Sequence, residues 1–120
     1  MLNDGQHFKR VFLCTGTTDL RRGIDGLAAI VRFRFQLDPY EKGTVFLFCG
    51  KRNTRLKFLL WEGDGFLLGY KRLDNGAFQW PRNAAEAKEL TADQYQMLMQ
   101  GFEIFPKHPI TELKDLPTLF

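Results

Sequence analysis

The chain has 120 residues, enough for one domain with its own core and without support from a disulfide or a metal. Aromatic residues make up 14% of it, with 12 Phe, which excludes intrinsic disorder and predicts a core of packed rings. The net charge of +3 is compatible with nucleic-acid binding, and the lack of any run of about 18 apolar residues excludes a membrane helix.

The charge is spread unevenly along the chain. Residues 1–82 hold 14 Lys and Arg against 8 Asp and Glu, a balance of +6, whereas residues 83–120 hold 3 against 6. We interpret 1–82 as a basic body of strand, helix and meander, and 83–120 as the C-terminal helix and proline-containing tail of the same domain. The N-terminus lacks the layout of a signal peptide, so the expected location is the cytoplasm.

The first predicted elements are a buried strand and a helix. Residues 11–14 form a short apolar run that ends at the turn residues 15–17, which is typical of a buried strand. A helix from about Asp19 to Arg34 is predicted to follow, with Thr18 or Asp19 as its cap. Its apolar positions recur at helical spacing and form one stripe: Leu20, Ile24, Leu27 and Val31.

Two arginines stand in the first turn of this predicted helix. The helix dipole disfavours Arg21 and Arg22 there by a few tenths to about 1 kcal/mol. Two interpretations stay open: the arginines are tolerated without a use, or they hold a phosphate together with the free backbone N–H groups of the helix start. Gly23 and Gly26 inside the helix indicate either the close approach of another backbone or a weak helix.

A central strand and a basic loop come next. Residues 45–49 are apolar at every position, which predicts a strand covered on both faces. The loop at 50–53 contains two cations and lacks the spacing of a nucleotide-binding loop, so we interpret it as a basic hairpin tip. Cys14 and Cys49 have no metal-binding spacing, and we expect buried free thiols, with a disulfide as the alternative.

Residues 56–81 carry the most informative pattern of the chain. Apolar segments of strand length are separated by Asp64-Gly65 and Asn75-Gly76, dipeptides preferred in tight hairpin turns, so we predict three consecutive antiparallel strands. A first loop of two or four residues gives the hairpin one face with an apolar end and a cationic end, formed by Arg55, Lys57, Leu59, Trp61, Phe66, Leu68, Tyr70 and Arg72. A loop of three residues would instead place Lys71 beside Lys57.

The cationic end of this face suggests an external anion. Like charges that lie opposite each other on strands destabilise a sheet, so the crowding of Arg55, Lys57 and Arg72 favours a bound phosphate backbone. The alternative is that these side chains only solvate the outer face of a half-buried sheet.

The C-terminal part is predicted to be helical and then irregular. Residues 84–90 are rich in Ala and Glu, which favours a short helix. Thr91 is expected to cap a second helix that ends near Gln100, before Gly101. The tail from Phe105 contains prolines, and we expect an irregular arm that packs on the domain or waits for a partner.

The sequence gives little indication of catalytic chemistry. It contains no serine, which excludes a serine triad, and neither His7 nor His108 has a second ligand at metal spacing, so we expect surface or packing histidines. A metal-dependent nuclease is the alternative, because such an enzyme needs converging carboxylates and five are available: Asp19, Asp25, Asp38, Glu62 and Asp64. We expect no catalytic residue, metal, cofactor or small-molecule substrate.

Several segments resemble one protein family. They are Thr15 to Leu27 (TGTTDLRRGIDGL), Val45 to Asn53 (VFLFCGKRN), Trp61 to Phe66 (WEGDGF), Tyr70 to Leu73 (YKRL) and Phe78 to Pro81 (FQWP). In this order they are similar to the Orf2-like accessory proteins (TnpB) of the insertion-sequence sixty-six family of bacterial transposable elements. The resemblance implies a small protein encoded beside a separate transposase and needed for efficient transposition. It supplies no catalytic residues and leaves residues 83–120 outside its well-marked part.

These observations predict an α+β domain with a single antiparallel sheet of about five strands, one helix packed on a face and a second helix near the edge. The expected function is that of a non-enzymatic accessory in DNA transposition. Weak and non-specific DNA contact is expected at eight cations: Arg21, Arg22, Lys51, Arg52, Arg55, Lys57, Lys71 and Arg72. The alternative is a protein-interaction module for the transposase without DNA contact, built on five aromatic side chains: Trp61, Phe66, Tyr70, Phe78 and Trp80.

Overall fold

Five strands form one sheet. The computed structural model describes residues 8–83 and 85–105, and within them the strand order is β4-β3-β2-β1-β5. The strands are β1 (Arg10–Cys14), β2 (Thr44–Cys49), β3 (Arg55–Trp61), β4 (Phe66–Arg72) and β5 (Ala87–Leu90). Helix α1 (Ile24–Ala29) continues into a π-helical segment (Ile30–Arg34), and helix α2 (Ala92–Met99) follows β5. The expected α+β class and the single five-stranded sheet are confirmed.

One strand pair differs from the expected antiparallel sheet. β1 and β2 are parallel, with Val11 beside Val45, whereas the other three pairs are antiparallel. Parallel neighbours need a crossover that returns the chain to the end of the sheet where it started. The segment that contains α1 provides this crossover, so the sheet is mixed.

Each face of the sheet carries one buried cluster. On the face that we call the helix face, strand side chains are joined by two residues of the predicted apolar stripe: Phe12, Cys14, Phe46, Phe48 and Leu59 with Leu27 and Val31. On the opposite face, the strands are joined by side chains from the C-terminal half: Phe78, Trp80, Tyr95 and Leu98. All six residues of β2 are buried, which confirms the predicted central strand.

The first helix is shorter than the sequence predicts. It begins at Ile24 and not near Asp19, and its N-cap is Gly23. Neither of the expected caps is used, because the Asp19 carboxylate instead accepts a hydrogen bond from the Arg21 backbone N–H at 3.0 Å. Arg21 and Arg22 therefore precede the helix, and the prediction that they occupy its first turn is wrong.

The third strand of the predicted meander does not form among the described residues. Gly76 turns the chain with a φ of 83°, as the Asn-Gly dipeptide predicts. The Leu73 N–H then donates to the Thr54 carbonyl at 2.7 Å, and the Phe78 N–H donates to the Asn53 carbonyl at 2.8 Å. These bonds tie the segment to the loop before β3, so it does not form a ladder with β4.

The helix predicted for residues 84–90 is wrong, because Ala87–Leu90 form β5. This strand is antiparallel to β1, with Leu90 opposite Val11. Pairing with β1 covers an otherwise open sheet edge, and this long-range contact overrides a helix propensity that is only a weak prior. Helix α2 agrees with its prediction, since Thr91 and Gln94 form a capping box at its start and Gly101 follows its end with a φ of 90°.

Both cysteines are buried free thiols, as expected. Cys14 ends β1 and Cys49 ends β2. Burial raises the pKa of each thiol, although the Arg82 guanidinium beside Cys49 opposes the rise there. Both side chains are therefore protonated at neutral pH and pack as small apolar groups.

Some predictions concern residues outside the described ranges. These are the two histidines, His7 and His108, and the tail that follows Phe105. Among the described residues, no helix is long and apolar enough to cross a membrane.

Candidate nucleic-acid interface

Four of the predicted DNA-binding cations line one cleft. They are Arg21, Lys51, Arg52 and Arg55, and the cleft has a volume of about 680 Å³. It lies at the end of the sheet where β1 and β2 end and β3 begins. Because β1 and β2 are parallel, the loops that follow them leave the sheet at the same end. We call this site the basic cleft.

The two loops of the basic cleft are held against each other. The Thr18 N–H donates to the Cys49 carbonyl at 2.9 Å, which fastens the first loop to the end of β2. The Leu20 side chain lies over Gly50, where an added Cβ would be 3.1 Å from Leu20 Cδ1. The absence of a side chain at position 50 therefore allows the loops to approach.

Asp19 is the carboxylate among the residues that line the basic cleft. Its Oδ1 accepts from Arg21 Nε at 3.0 Å and its Oδ2 accepts from Arg21 Nη2 at 2.8 Å. These side-chain bonds, followed by the bond from the Arg21 backbone N–H, lower the pKa of Asp19 to about 2. The Arg21 side chain stays 91% exposed. The ion pair thus orients the guanidinium and leaves it accessible to a ligand.

Arg82 connects both loops of the basic cleft, although it is not among the cations predicted from the sequence. Its guanidinium donates to the Gly16 carbonyl and the Thr17 hydroxyl, each at 3.0 Å, in the first loop. It also donates to the Gly50 carbonyl at 2.8 Å and to Asn53 Oδ1 at 2.6 Å in the second loop. These partners are 29 to 66 positions away along the chain, so no local pattern around Arg82 could have revealed the role.

The β3–β4 hairpin adds further cations at the same end of the sheet. Arg55 lies directly opposite Arg72, and Lys57 lies opposite Tyr70. The hairpin loop is closed by a hydrogen bond from the Glu62 N–H to the Gly65 carbonyl, so it has four residues and the predicted face is confirmed. Arg55, Lys57, Tyr70 and Arg72 therefore share the helix face.

Lys71 does not belong to this group. It lies opposite Leu56, whose side chain is in the buried cluster of the other face. The alternative register, with Lys71 beside Lys57, is therefore wrong. Lys71 is separated from Arg55 and Arg72 by the sheet itself.

Lys57 and Arg22 contact each other and not the basic cleft. Lys57 Nζ donates to the Arg22 carbonyl at 3.0 Å, which ties β3 to the segment before α1. The Arg22 side chain lies against Gly26, where an added Cβ would be 3.2 Å from Arg22 Cβ. Gly26 thus makes room for the aliphatic stem of Arg22. The expectation that another backbone approaches this glycine is not met.

The predicted aromatic residues separate into three groups. Trp61 and Phe66 pack together at 4.9 Å between ring centroids, and Tyr40 lies about equally close to each. We call these three residues the aromatic trio. Tyr40, which is not among the aromatic residues predicted from the sequence, is 50% exposed. Tyr70 stands apart from the trio, since it lines the basic cleft.

Phe78 and Trp80 form the third group and lie in the core. Phe78 is 0% and Trp80 5% exposed, and Trp80 Nε1 donates to the Cys14 carbonyl at 3.0 Å. Both rings pack on the face of the sheet opposite α1. The expectation that they belong to an exposed docking patch is therefore corrected: apolar neighbours surround both rings, and the Cys14 carbonyl accepts from the indole N–H.

The carboxylates considered for a nuclease do not converge. Glu62 and Asp64 lie in the loop between β3 and β4, at the opposite end of the sheet from Asp19 in the basic cleft. Among the described residues, no group of three or more His, Cys, Asp and Glu side chains is placed to hold a metal ion. The part of the chain that the structure describes therefore offers no carboxylate cluster for two-metal chemistry.

Two curated bacterial proteins are similar to this chain over most of their length. The uncharacterized protein y4hO of Sinorhizobium fredii (strain NBRC 101917 / NGR234) is 37% identical over 109 residues, 91% of each chain. The uncharacterized protein y4jC of the same strain is 34% identical over 94 residues, 78% of this chain and 80% of that protein. No solved structure matches. Residues 9–109 match the family model described as IS66 Orf2 like protein, so the resemblance is confirmed and the chain belongs to that family.

Proposed function

We propose that this protein is a non-enzymatic accessory of transposition that binds DNA through the basic cleft. Membership of the IS66 Orf2-like family suggests a role in transposition of these insertion sequences. The observation that supports the DNA contact is the convergence of four cations, from two segments of the chain, at one cleft. Clustered Lys and Arg side chains are the electrostatic footprint of nucleic-acid binding, because they replace the counterions of the phosphate backbone.

The opposed pair Arg55 and Arg72 supports the same proposal. Two like charges across a strand pair are unfavourable unless an anion lies between or near them. Asp74 Oδ1 is 3.8 Å from Arg72 Nη2, but this pair is exposed and offsets little of the repulsion. A bound phosphate would offset the rest of the repulsion between Arg55 and Arg72.

The binding is expected to be weak and independent of sequence. Phosphate contacts position a protein on DNA but do not read bases. Helix α1 and its π-helical continuation bury Leu27 and Val31 against the sheet, while α2 buries Tyr95 and Leu98. Neither helix presents a long exposed face of the kind that enters a major groove.

A charge-matched comparison tests the proposal. The cleft variant replaces Lys51, Arg52 and Arg55 by Gln, and the control variant replaces three exposed cations outside the cleft, Lys9, Arg34 and Lys42, by Gln. Both variants lose the same net charge. Titration of each with a fluorescent duplex should show a loss of at least about tenfold in affinity for the cleft variant and a smaller loss for the control. Equal losses would show that only net charge matters and would contradict a defined site.

The aromatic trio supports a second function, which is docking of the transposase of the same element. Its rings lie where β3 ends and β4 begins, at the end of the sheet opposite the basic cleft. Arg32 lies 5.9 Å from the Tyr40 ring centroid. An exposed aromatic and arginine combination is typical of the energetic centres of protein interfaces.

Pull-down of the transposase, with and without the terminal DNA of the element, separates the two functions. Docking through the trio predicts that Tyr40→Ala weakens capture in the absence of DNA, while the cleft variant captures as well as the natural protein. If only the cleft variant loses capture, and only when DNA is present, the two proteins meet through DNA and the trio is not their interface. Binding through aromatic rings should also change little with salt.

A further inference from the structure

Tyr70 is an exposed aromatic side chain inside a basic site. It is 53% exposed and lines the basic cleft together with Arg21 and Arg55. It stands directly opposite Lys57 in the β3–β4 ladder. The rings of the aromatic trio pack on one another, whereas among the described residues Tyr70 has no ring partner. What distinguishes Tyr70 from the exposed aromatic side chains Phe33 and Phe102 is its place in the lining of the basic cleft, where its ring is accessible to a ligand that the cations hold.

The combination of cations and an accessible ring matches one kind of nucleic acid. Proteins that hold single strands combine a positively charged groove, which follows the phosphates, with aromatic rings on which bases stack. In a duplex the base faces are covered by neighbouring bases, so the face of Tyr70 could not reach them. The volume of about 680 Å³ lies within the range of about 300 to 1,000 Å³ typical of small-ligand pockets, so it suits a nucleotide better than a duplex.

We propose that the basic cleft binds single-stranded nucleic acid, with one base stacked on Tyr70 and the adjoining phosphates held by the cleft cations. This inference rests on the proposed function, since it specifies the form of nucleic acid that the same site prefers. The cations that line the cleft together with the ring are Arg21, Lys51, Arg52 and Arg55. An acidic protein segment would satisfy the cations but would leave the Tyr70 ring without a partner.

The test compares three tyrosine variants with two forms of the same DNA. Tyr70→Ala removes the ring, Tyr70→Phe keeps it, and Tyr40→Ala removes an equally exposed ring at the other end of the sheet. The probes are a fluorescent 12-nucleotide strand of mixed sequence and the duplex formed with its complement, at equal salt. Poly-glutamate of the same charge serves as competitor. Thermal melting of each variant confirms folding before binding is measured.

The natural protein should bind the single strand several-fold more tightly than the duplex. Tyr70→Ala should lose about tenfold in affinity for the strand and little for the duplex, while Tyr70→Phe and Tyr40→Ala should bind the strand as the natural protein does. Equal binding of both DNA forms, unchanged strand binding by Tyr70→Ala, or displacement by poly-glutamate as effective as by unlabelled strand would overturn the inference. Duplex binding that depends on the cleft cations would then still support the proposed function, whereas absence of binding to either form would contradict both.

Discussion

Arg55 and Arg72 lie directly opposite each other at the end of the β3–β4 ladder, beside the basic cleft. Like charges at directly opposed positions destabilise a strand pair, by about 0.2–1 kcal/mol in measured cases. The sheet therefore keeps an unfavourable pair at the place where the proposed ligand brings negative charge. Substitution of either arginine should therefore change folding stability and DNA binding in opposite directions.

Replacing either arginine of the pair by Gln should raise stability and weaken DNA binding together. Arg55→Gln and Arg72→Gln should each increase the free energy of unfolding by a few tenths of a kcal/mol, because each removes the repulsion. The double variant should gain no more than one single variant, since the repulsion is already absent. Urea unfolding and duplex titration of all three variants measure both effects, and a lower stability in either single variant would show that the pair is not repulsive.

Asp19→Asn should increase DNA affinity, because the substitution removes the carboxylate of the basic cleft and releases the Arg21 guanidinium from its ion pair. We expect a gain of about twofold or more at low salt. Asp64→Asn is the matched control, since it makes the same charge change in the loop at the other end of the hairpin. A gain that is equal in both variants would reflect net charge alone.

The Asp19 pair should also give stability a specific dependence on pH. The pKa of Asp19 is lowered from 3.8 to about 2 by the hydrogen bonds from Arg21, so the folded state holds its charged form more strongly than the unfolded state does. The resulting stabilisation is present above the ordinary pKa and is lost as the pH falls from about 4 towards 2. The difference in melting temperature between the natural protein and Asp19→Asn should shrink over this range, and a difference that stays constant would contradict the pairing.

Arg82→Lys should loosen both loops of the basic cleft although it keeps the charge. A lysine ammonium lacks the planar fork of a guanidinium. It therefore cannot donate to the Gly16 carbonyl, the Gly50 carbonyl and the Asn53 side chain at the same time. We expect a loss of about 1–2 kcal/mol in stability, since Arg82 is partly solvated. Hydrogen exchange should accelerate in residues 50–53, whereas Arg32→Lys, at an exposed position outside the cleft, should leave it unchanged.

Gly69→Ala should destabilise the β3–β4 hairpin strongly. Gly69 lies opposite Phe58, and an added Cβ would fall 1.8 Å from a ring carbon of that buried side chain. Overpacking of this kind lowers stability by about 1–3 kcal/mol. Gly65→Ala, where nothing lies within 4 Å of the added Cβ, is the control. Chemical unfolding should separate the two variants, and adding Phe58→Leu to Gly69→Ala should recover part of the loss.

Local patterns were sufficient for the elements whose signals lie within a few residues. The apolar run of β2, the hairpin between β3 and β4 and the cap at Thr91 were each predicted correctly, although the positive φ of the hairpin turn falls at Gly63 and not at Gly65. In each case the residues that decide the conformation are close neighbours along the chain. Alternation along β3 and β4 also placed Arg55 and Arg72 on one face correctly.

Long-range contacts account for the errors. Ala87–Leu90 are helix-prone, but the open edge of β1, more than 70 positions earlier in the chain, makes them a strand. Trp61 and Trp80 were expected in one docking patch, yet Trp80 is 5% exposed in the core, where it donates to the distant Cys14 carbonyl, and Trp61 lies partly exposed beside Tyr40. Arg82 gave no signal at all, since every loop that it connects is distant in sequence.

The salt dependence of duplex binding tests the central claim most directly. If the basic cleft holds DNA through its cations, the logarithm of the binding constant should fall linearly with the logarithm of salt concentration, with a slope of about −3 to −4 for three or four phosphate contacts. The Gln variant of Lys51, Arg52 and Arg55 should retain a slope of about −1. A slope near zero, or the same slope in the natural protein and this variant, would contradict the assignment of DNA binding to the basic cleft.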